Sequence, residues 1–335
     1  MGFWAKKDKS YYSCADLEEN VVLHRDWYSI CSMFGHLDAL YRPIFYWDDK
    51  KGFDYKTFLK TKRDIIKAHK KGKIHKGCIG CKDLVKKEWP GKCDKIYHIH
   101  FRLSKKCNAK CIYCCDKVDN VNPDRLFFDQ LKTLIKKGVI AENALMEFGG
   151  GEFTLHDEFD KIFRYLLDNG FRRFKVYTSC LRYSAEMEEA LGYGQCELIV
   201  SPDAGDRETF IKMKQADTYD RFFGNLIRYI NAQNENKLQV KTKFIIYRGI
   251  NDTKKQIDLF LEKSKEIGIK KVIFDIEVKD LHILQVEPDE EIIKHLIKLV
   301  KYAKYQTENT YNLIYEQLNY IQLLEQFYPE LWEPT

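Results

Sequence analysis

The chain has 335 residues, 44% of them apolar and 14% aromatic, which excludes a small disulfide-stabilised scaffold and a disordered chain. Its formal net charge of +6 is uneven, because residues 50–82 contain twelve Lys or Arg residues and two Asp residues. A solvated lysine-rich helix and loop is the simpler explanation of this segment. The functional explanation is an electropositive wall beside an anionic, phosphate-bearing substrate. Nucleic acid is disfavoured, since no aromatic-basic repeat accompanies the charge.

The eleven cysteines are the unusual feature of the composition. Residues 1–5 lead directly into a lysine-rich stretch, so we expect no secretory signal. The sequence contains no run of about 18 apolar residues, so we also expect no membrane-spanning helix. The sequence therefore predicts a cytoplasmic protein. In that reducing compartment, closely spaced cysteines are more often metal ligands or catalytic thiols than disulfides.

Strand and helix patterns begin to alternate near residue 95. Six strands are predicted, at residues 95–103, 144–148, 174–179, 197–201, 240–247 and 271–278. Amphipathic helices separate them, the first beginning at Asn122 and Pro123. The alternation predicts an α/β fold, a partial (β/α)6 barrel with its chemistry at the C-terminal strand ends.

Three regions are expected from this pattern. Residues 1–94 form an irregular cysteine-rich module, residues 95–285 form the barrel, and residues 286–335 form a C-terminal helical extension. The extension contains two amphipathic helices, one around residues 292–300 and a last one over residues 314–327.

Directly after the first predicted strand comes Cys107-Asn-Ala-Lys-Cys111-Ile-Tyr-Cys114. Three thiolates at this spacing can bind three irons of a cubic [4Fe–4S] cluster and leave the fourth iron open to a small molecule. One alternative is a structural zinc site with Cys115 as its fourth ligand, although adjacent cysteines rarely reach one metal. The other is a set of buried cysteines without metal.

This CxxxCxxC spacing, with Tyr113 before the last cysteine, resembles the signature of the radical S-adenosylmethionine (SAM) superfamily. The likeness covers roughly residues 95–280. Gly150-Gly151-Glu152 is similar to the family's GGE motif, although Phe153 stands where many members have proline. The resemblance implies that the glycine backbone and Glu152 receive the amino group of SAM, for which close backbone approach and a carboxylate are suited.

The same resemblance implies further SAM contacts. Ser201 and Asp203 follow the fourth strand, where the family places ribose-contacting residues; a helix N-cap is the rival role for Asp203. Lys243 on the fifth strand resembles a residue that pairs with the methionine carboxylate, and Lys241 is equally placed by alternation. The implied mechanism is one-electron cleavage of SAM to methionine and a 5′-deoxyadenosyl radical, which abstracts hydrogen from substrate. A donor such as flavodoxin or ferredoxin would reduce the cluster.

Four more cysteines precede the barrel: Cys14, Cys31, Cys78 and Cys81. Four thiolates can hold zinc or a fully ligated second [4Fe–4S] cluster. Their order resembles the twitch module, the shortened relative of the SPASM auxiliary-cluster module, placed here before the barrel instead of after it. Cys93 is spare and is an alternative ligand.

Cys180, Asp275 and Glu277 are the candidates for the step that converts the substrate radical to product. Cys180, at the end of the third strand, would make an epimerase if its thiol returned hydrogen to a substrate radical; a small buried hydrophobe is the ordinary role. Asp275 and Glu277 share one face of the last strand, where a carboxylate can take a proton during oxidation, with structural hydrogen bonding as the alternative. His98 and His100 also share a face and line either the site or the core.

Together these features predict a radical SAM oxidoreductase that dehydrogenates or epimerises a small anionic substrate, such as a nucleotide-linked or phosphorylated sugar. A peptide-modifying maturase is the first alternative. A non-catalytic, zinc-stabilised nucleic-acid-binding module is the second.

Overall fold

The computed structural model describes residues 9–24, 27–31, 44–46, 52–79, 81, 83–91, 94–102, 106–114, 127–237, 239–277 and 289–332. Cys93, Cys115 and the expected helix start at Asn122 and Pro123 lie outside these ranges. No disulfide joins the nine cysteines within them. None of the helices in the described ranges is long and apolar enough to cross a membrane.

The chain divides into two compact units. Unit 1 comprises Met1–Ser104, Val121–Gly150 and Arg164–Phe174, and unit 2 comprises Lys105–Asn120, Gly151–Phe163 and Lys175–Thr335. Helix α4 (Phe159–Asp168) and strand β8 (Phe174–Thr178) have residues in both.

Unit 1 has short strands at its beginning and longer ones later. Its strands are β1 (Tyr11–Ser13), β2 (Asn20–His24), β3 (Trp27–Ser29), β4 (Ile44–Tyr46), β5 (Val85–Lys87), β6 (Ile96–Arg102) and β7 (Ile140–Phe148). Its helices are α1 (Ala15–Glu19), α2 (Tyr55–His69) and α3 (Phe127–Lys136). The order β4-β3-β2-β6-β7 forms one sheet, while β1 and β5 pair separately.

The N-terminal strands extend the sheet that begins the predicted barrel. Strand β2 pairs in parallel with β6, and β6 pairs in parallel with β7. Strands β3 and β4 then add antiparallel. The expected boundary at residue 94 therefore does not coincide with an edge of unit 1. Sequence periodicity could not reveal this, because strands of three to five residues carry almost no alternation signal.

Five of the twelve basic residues of the lysine-rich segment lie on α2. Lys60 is exposed and forms an ion pair with Asp64 one turn later, at 3.4 Å. Lys62 is the exception, since it is fully buried and donates to the main-chain oxygen of Asn20 at 3.0 Å.

Unit 2 continues the strand and helix alternation. After β8 come α5 (Ala185–Gly192), β9 (Cys196–Val200), α6 (Arg207–Lys214), α7 (Tyr219–Ala232), β10 (Val240–Ile246), α8 (Lys254–Glu266) and β11 (Lys271–Ile276). The last elements are α9 (Glu290–Tyr305), β12 (Ile314–Gln317) and α10 (Asn319–Phe327). The strand order is β12-β11-β10-β9-β8, with parallel pairing from β9 to β12.

All six predicted strands are present, within a few residues of the expected bounds. The last predicted helix is wrong over its first residues. Ile314–Gln317 is a strand parallel to β11, and the helix begins at Asn319. A short apolar run is compatible with the periodicity of a helix and with that of a strand. Here the segment forms a strand because it pairs with the edge of β11.

The register of unit 2 gives its sheet two chemically different faces. Lys241, Lys243 and Ile245 lie opposite Lys271, Ile273 and Asp275, so alternate positions form a face rich in charged residues. The other face carries the buried rings of Phe244 and Phe274, which pack against Phe260 of α8 at 4.9 and 5.7 Å between ring centroids. Helix α8 packs on the apolar face, and the predicted site residues of these strands lie on the polar face.

Candidate functional site

Residues 106–114, the three-cysteine loop, are attached to the C-terminal end of α6 in unit 2. The amides of Lys110 and Ile112 donate to the main-chain oxygens of Lys214 and Met213 at 3.2 and 3.1 Å. The last carbonyls of a helix have no partner within the helix. The loop supplies those partners, so α6 fixes where the cysteines lie.

The three thiols lie close together in sequence and differ in exposure. Cys107 and Cys111 are half-buried and Cys114 is exposed. The Ala109 amide donates to Cys107 Sγ at 3.4 Å, and burial raises the pKa of the Cys107 thiol to about 11. A metal must therefore displace the proton from this thiol when it binds.

These donors fit the cluster that the sequence predicts. Each thiolate of a cubic cluster binds its own iron, and three half-buried to exposed thiols on one loop leave the fourth iron open. In the part of the chain that the structure describes, no three His, Cys, Asp or Glu side chains are arranged to hold a single metal ion.

Tyr113 of the loop, which is half-buried, forms a polar cluster with the buried side chains of Asp203 and Lys214. Tyr113 Oη and Lys214 Nζ donate to Asp203 Oδ2 at 2.5 and 2.6 Å, and Lys214 Nζ lies 2.7 Å from Tyr113 Oη. The Ile245 amide donates to Asp203 Oδ1 at 2.8 Å. Burial, followed by the Asp203 charge, raises the pKa of Tyr113 well above its ordinary value.

The carboxylate of Asp203 is held by the protein. It is fully buried and both oxygens accept hydrogen bonds from protein groups; its contact with the SAM ribose stays a prediction. Asp203 is not the helix N-cap, because Asp206 caps α6. Asp203 has a left-handed backbone, with φ of 55°, which an aspartate adopts only where the surroundings require it. It is a positioning residue for the loop.

Asn251 holds the same strand ends together. Its Nδ2 donates to the main-chain oxygens of Asp203 and Ile245, both at 2.9 Å, and its Oδ1 accepts from the Tyr247 amide at 2.7 Å. The side chain is fully buried. One of its hydrogen bonds reaches the segment after β9 and two reach the end of β10, so Asn251 links the two strand ends.

Glu152 is also surrounded by donors from the protein. Its Oε1 accepts from the hydroxyls of Thr154 and Thr178 at 2.5 and 2.7 Å, and its Oε2 accepts from the Ser179 amide. Ser179 Oγ in turn donates to Asn108 in the three-cysteine loop at 2.8 Å. Glu152 is fully buried and connects the GGE segment to the end of β8. Its contact with the SAM amino group stays a prediction.

The glycines of the GGE motif have the backbone that only glycine adopts readily. Gly150 and Gly151 have φ of 78° and 56°. A Cβ on Gly150 would lie 3.3 Å from Arg102 Cγ and 3.6 Å from Arg102 Cα. Side chains are therefore excluded here, which leaves main-chain groups available to a ligand.

The polar face of unit 2 brings the other predicted residues into register. Ser201 follows Val200, which pairs with Thr242, so Ser201 is level with Lys243 on the next strand. Lys243 lies opposite Ile273, two residues before Asp275. The four predicted residues of this face are Ser201, Lys243, Asp275 and Glu277.

The choice between the two lysines of β10 follows from their partners. Lys241 is buried and forms ion pairs with Glu197 and Glu316 at 3.0 and 3.1 Å. Lys243 is half-buried and has no ion-pair partner among the described residues. Lys243 is therefore the lysine left for a carboxylate ligand.

Asp275 and Glu277 are both buried, at 5% and 4% exposure. Asp275 Oδ1 accepts from the Ile276 amide at 3.0 Å, and the Glu277 amide donates to the main-chain oxygen of Ile246 at 3.2 Å. The two carboxylates are on the polar face where a proton acceptor would be needed.

Cys180 lies in a strained position at the end of β8. Its φ is 59°, its side chain is fully buried, and Asn225 Nδ2 donates to its main-chain oxygen at 2.9 Å. Burial raises the pKa of its thiol well above the ordinary value. A thiol that returns hydrogen to a substrate must touch it, and this one has no exposed surface.

Unit 1 contains the second set of cysteines, which surround one cavity. The cavity is lined by Cys14, Leu17, Ile30, Cys31, Ile65, His75, Gly77, Cys78, Cys81 and Leu84. Three separate segments of the fold thus bring all four predicted cysteines together, within an otherwise largely apolar wall. This donor set fits an iron–sulfur cluster held entirely by the protein.

The first cysteine of this set is fixed by local hydrogen bonds. Cys14 is the N-cap of α1, and its Sγ accepts from the Leu17 amide at 3.4 Å. Burial raises the pKa of its thiol. In the same helix Glu18 accepts from Tyr11 Oη and Ser13 Oγ at 2.8 and 2.7 Å, which fixes β1 against α1.

Sequence reasoning missed two residues, Lys214 and His75. Lys214 ends an amphipathic helix whose neighbour Lys212 is exposed, so nothing in the sequence distinguishes a buried lysine from a surface one. His75 lines the cysteine cavity, and its Nδ1 accepts from the Gly77 amide at 3.2 Å. Its closeness to the CxxC pair was the one available signal.

Residues 101–263 match the family model described as the radical SAM superfamily. The matched range contains the three-cysteine loop, the GGE segment and Asp203. Over this range, a little under half of the chain, the sequence is similar to the radical SAM superfamily. The likeness implies a [4Fe–4S] cluster and SAM as cofactors.

Curated relatives are similar over part of the chain. A probable GTP 3′,8-cyclase of Methanocella arvoryzae is 25% identical over 189 residues, which are 56% of this chain and 59% of that protein. A GTP 3′,8-cyclase of Clostridium botulinum (strain Hall) is 20% identical over 179 residues, 52% of this chain and 54% of that protein. The chain thus spans between half and two thirds of the length of these relatives.

Solved structures extend the likeness to more of the fold. Streptococcus suis SuiB bound to S-adenosylmethionine has a TM-score of 0.55 at 16% identity, covering 87% of this chain and 60% of that one. SuiB bound to its precursor peptide SuiA has a TM-score of 0.53 at 12% identity, covering 97% and 74%. The predicted α/β fold, the partial barrel of radical SAM enzymes, is confirmed.

Proposed function

We propose that this radical SAM enzyme dehydrogenates a carbon centre of a small anionic substrate. The observation that carries the proposal is the cavity in unit 1, where Cys14, Cys31, Cys78 and Cys81 lie around one space. Those four thiolates would hold a second [4Fe–4S] cluster with no open iron, and such a cluster serves electron transfer rather than ligand binding.

The three-cysteine loop has a different task. Cys107, Cys111 and Cys114 would hold the first cluster, with Ser201 and Lys243 on the polar face available to SAM. When bound, this cluster and SAM supply one-electron reductive cleavage of the sulfonium, which allows a hydrogen atom to be taken from the substrate. A protein such as flavodoxin or ferredoxin would provide the electron.

Oxidation of a C–H bond removes one hydrogen atom, then one proton and one electron. Asp275 and Glu277 are the proton acceptors that the polar face offers, since both carboxylates lie on that face and keep a small exposed surface, 5% and 4%. The four-cysteine set would provide the one-electron acceptor. The proton would pass to a carboxylate and the electron to the second cluster, and the substrate would be left with a new double bond.

Epimerisation is the less favoured outcome. It needs a hydrogen donor at the substrate, and Cys180, the candidate for that role, is fully buried. We therefore infer that the oxidising branch of the two expected reactions applies.

The anionic substrate class rests on two supports. The curated relatives are named GTP 3′,8-cyclases, and GTP is a phosphate-bearing molecule. The segment 50–82 carries a strong local excess of positive charge. A nucleotide-linked or phosphorylated sugar fits both. We also propose a reducing, cytoplasmic location, in which these thiols would remain reduced.

The test is product analysis with reduced, reconstituted enzyme in deuterated water. Separate panels contain nucleotide-linked sugars, phosphorylated sugars and synthetic peptides, with 5′-deoxyadenosine formation as the first readout. The proposal predicts a product two mass units lighter from one of the sugar panels. A product of unchanged skeleton that retains one solvent deuterium would show epimerisation. A response confined to peptides would make the enzyme a maturase.

A further inference from the structure

The four-cysteine set reaches the surface of unit 1. All four of its cysteines are half-buried rather than enclosed. Ile79, which lies between Cys78 and Cys81 in the CxxC turn, is 58% exposed. Ligands with exposed surface place a cluster within direct reach of a second protein.

The same part of unit 1 is rich in lysine. Residues 67–87 contain eight lysines and a single acidic residue, Asp83, which is a local excess of +7. All seven of these lysines that the structure describes are exposed. Lys76 begins the turn that contains Cys78, so the positive charge continues up to the cysteines themselves.

Hydrogen bonds and strand pairing hold the lysine-bearing segments around the four-cysteine set. The ring of His69, at the end of α2, accepts at Nε2 from the His75 amide at 2.9 Å, so its Nδ1 carries the proton and donates to the main-chain oxygen of Tyr12 at 2.9 Å. His75 lies just before the CxxC turn. Strand β1 pairs with β5, where Lys86 lies opposite Tyr12, and Cys14 follows β1 directly. The lysines of α2, of the CxxC turn and of β5 thus meet at the cysteines.

We propose that this basic surface, residues 67–87 around the four-cysteine set, is the docking site of an acidic one-electron carrier protein. An exposed apolar residue, Ile79, within a charged rim fits the small, transient interfaces of redox partners. Positive charge steers an acidic protein to this position and raises its rate of association. A redox centre in the middle of the surface favours an electron carrier over a nucleic acid as the partner. The inference rests on the second cluster of the proposed function.

The carrier would prepare the four-cysteine set for the next turnover. Each dehydrogenation leaves one electron there, and a second electron cannot be accepted until the first has left. One electron passes to the carrier, so the four-cysteine set is oxidised and the carrier is reduced. A flavin carrier takes up one proton from solvent with this electron. No other atom or bond changes in the step.

The experiment measures binding and electron transfer, with purified flavodoxin as the acidic carrier. Calorimetry gives the Kd of oxidised flavodoxin for the reconstituted full-length protein, and stopped-flow absorbance gives the rate at which flavodoxin oxidises the reduced protein. In the triple variant Lys67→Glu, Lys71→Glu and Lys73→Glu, Kd should rise and the second-order rate constant should fall, each by about tenfold at low salt. Both differences should largely disappear in about 0.5 M salt, because exposed charges are then screened.

A second triple variant is the matched control. Lys255→Glu, Lys265→Glu and Lys270→Glu make the same change of net charge on exposed lysines of unit 2. Its Kd and rate constant should stay within about twofold of wild type, because the charges removed are not those of the docking surface. Cys78→Ala tests the electron source and should lose fast transfer to flavodoxin.

Several results would overturn the proposal. One is an equal effect of the two triple variants, or a wild-type Kd in the first of them. Another is transfer at the wild-type rate in Cys78→Ala. A raised substrate KM in the first triple variant with an unchanged Kd for flavodoxin would assign these lysines to the substrate. Tighter binding of a single-stranded DNA oligonucleotide than of flavodoxin, with the same dependence on these lysines, would assign them to nucleic acid. The flavodoxin assays contain no substrate, so they can fail while product analysis still shows dehydrogenation, and the reverse.

Discussion

Two sets of cysteines in this molecule are built in opposite ways. The loop set in unit 2 consists of three residues within eight positions, of which Cys114 is exposed. The cavity set in unit 1 consists of four residues gathered from segments that span 68 positions, from Cys14 to Cys81, and none is exposed. Three ligands leave an iron open, whereas four close the coordination. In the function we propose, the number of ligands separates a substrate-activating site from an electron-transfer site.

The side chains around the two cysteine sets also differ, because those around the loop set are charged and those around the cavity set are mostly apolar. The loop set is backed by a charged, hydrogen-bonded cluster centred on Asp203, and polar residues continue along the neighbouring strands. The cavity set is enclosed by Leu17, Ile30, Ile65 and Leu84. Charged groups near a cluster bind and adjust ligands, while an apolar wall excludes water from a centre that only exchanges electrons.

The largest expected effect comes from removing a ligand of the loop set. Cys111→Ala leaves two thiolates, so the cluster should be lost and SAM cleavage should fall to the level without enzyme. Formation of 5′-deoxyadenosine measures the activity, and iron should fall from about eight to about four per chain. Cys196→Ala is the control, because Cys196 is buried outside both sets. Retained SAM cleavage in Cys111→Ala would mean that the loop set is not the catalytic one.

Removing a ligand of the cavity set should have a different effect. In Cys78→Ala about half of the iron should be lost, while SAM cleavage stays within about threefold of wild type, because the open iron is untouched. Yield of the oxidised product should fall much further than cleavage. The comparison fails if Cys78→Ala abolishes cleavage as completely as Cys111→Ala does, or if the protein binds zinc in place of that iron.

The cysteine motif of the loop set could be recognised in the sequence. The residues that pack against the loop could not. The spacing of Cys107, Cys111 and Cys114 is local, so the motif is visible before any fold is known. Lys214 follows the loop by a hundred positions and reaches it only through the folded sheet. The six strands from β6 to β11 were predictable for the same reason as the loop, since each of them has its own short pattern.

The cavity set shows where such prediction stops. The sequence offered four cysteines in order, but only the fold places Cys14 at a helix N-cap beside the CxxC turn. Within the expected module of residues 1–94, strand β2 pairs with β6 and extends its sheet. Asp203 illustrates the converse case, in which the sequence indicates the position and only the fold shows its hydrogen bonds to Tyr113 and Ile245.

The smallest expected effect concerns acid, which should affect unit 1 through His100. Burial lowers the pKa of His100 from 6.5 to about 4, although the nearby Glu147 opposes this. The unfolded chain therefore binds a proton first as the pH falls, so this contribution is complete above pH 6.5 and is lost between pH 6.5 and 4. Two and a half pKa units correspond to at most about 3 kcal/mol.

Urea unfolding of the reconstituted protein at pH 7 and pH 5 measures this effect. The loss of unfolding free energy on acidification should be smaller in His100→Gln than in wild type. His295→Gln should behave like wild type, because His295 is largely exposed. An equal loss in all three proteins would assign the acid sensitivity to other groups.

The division of labour between the two cysteine sets is the central claim, and EPR of the reduced, reconstituted protein with and without SAM tests it most directly. Two signals are predicted in the wild type, of which SAM shifts one. Cys78→Ala should retain only the signal that SAM shifts, and Cys111→Ala only the signal that SAM leaves unchanged. A single signal in the wild type, or a signal in Cys111→Ala that still responds to SAM, would contradict the account.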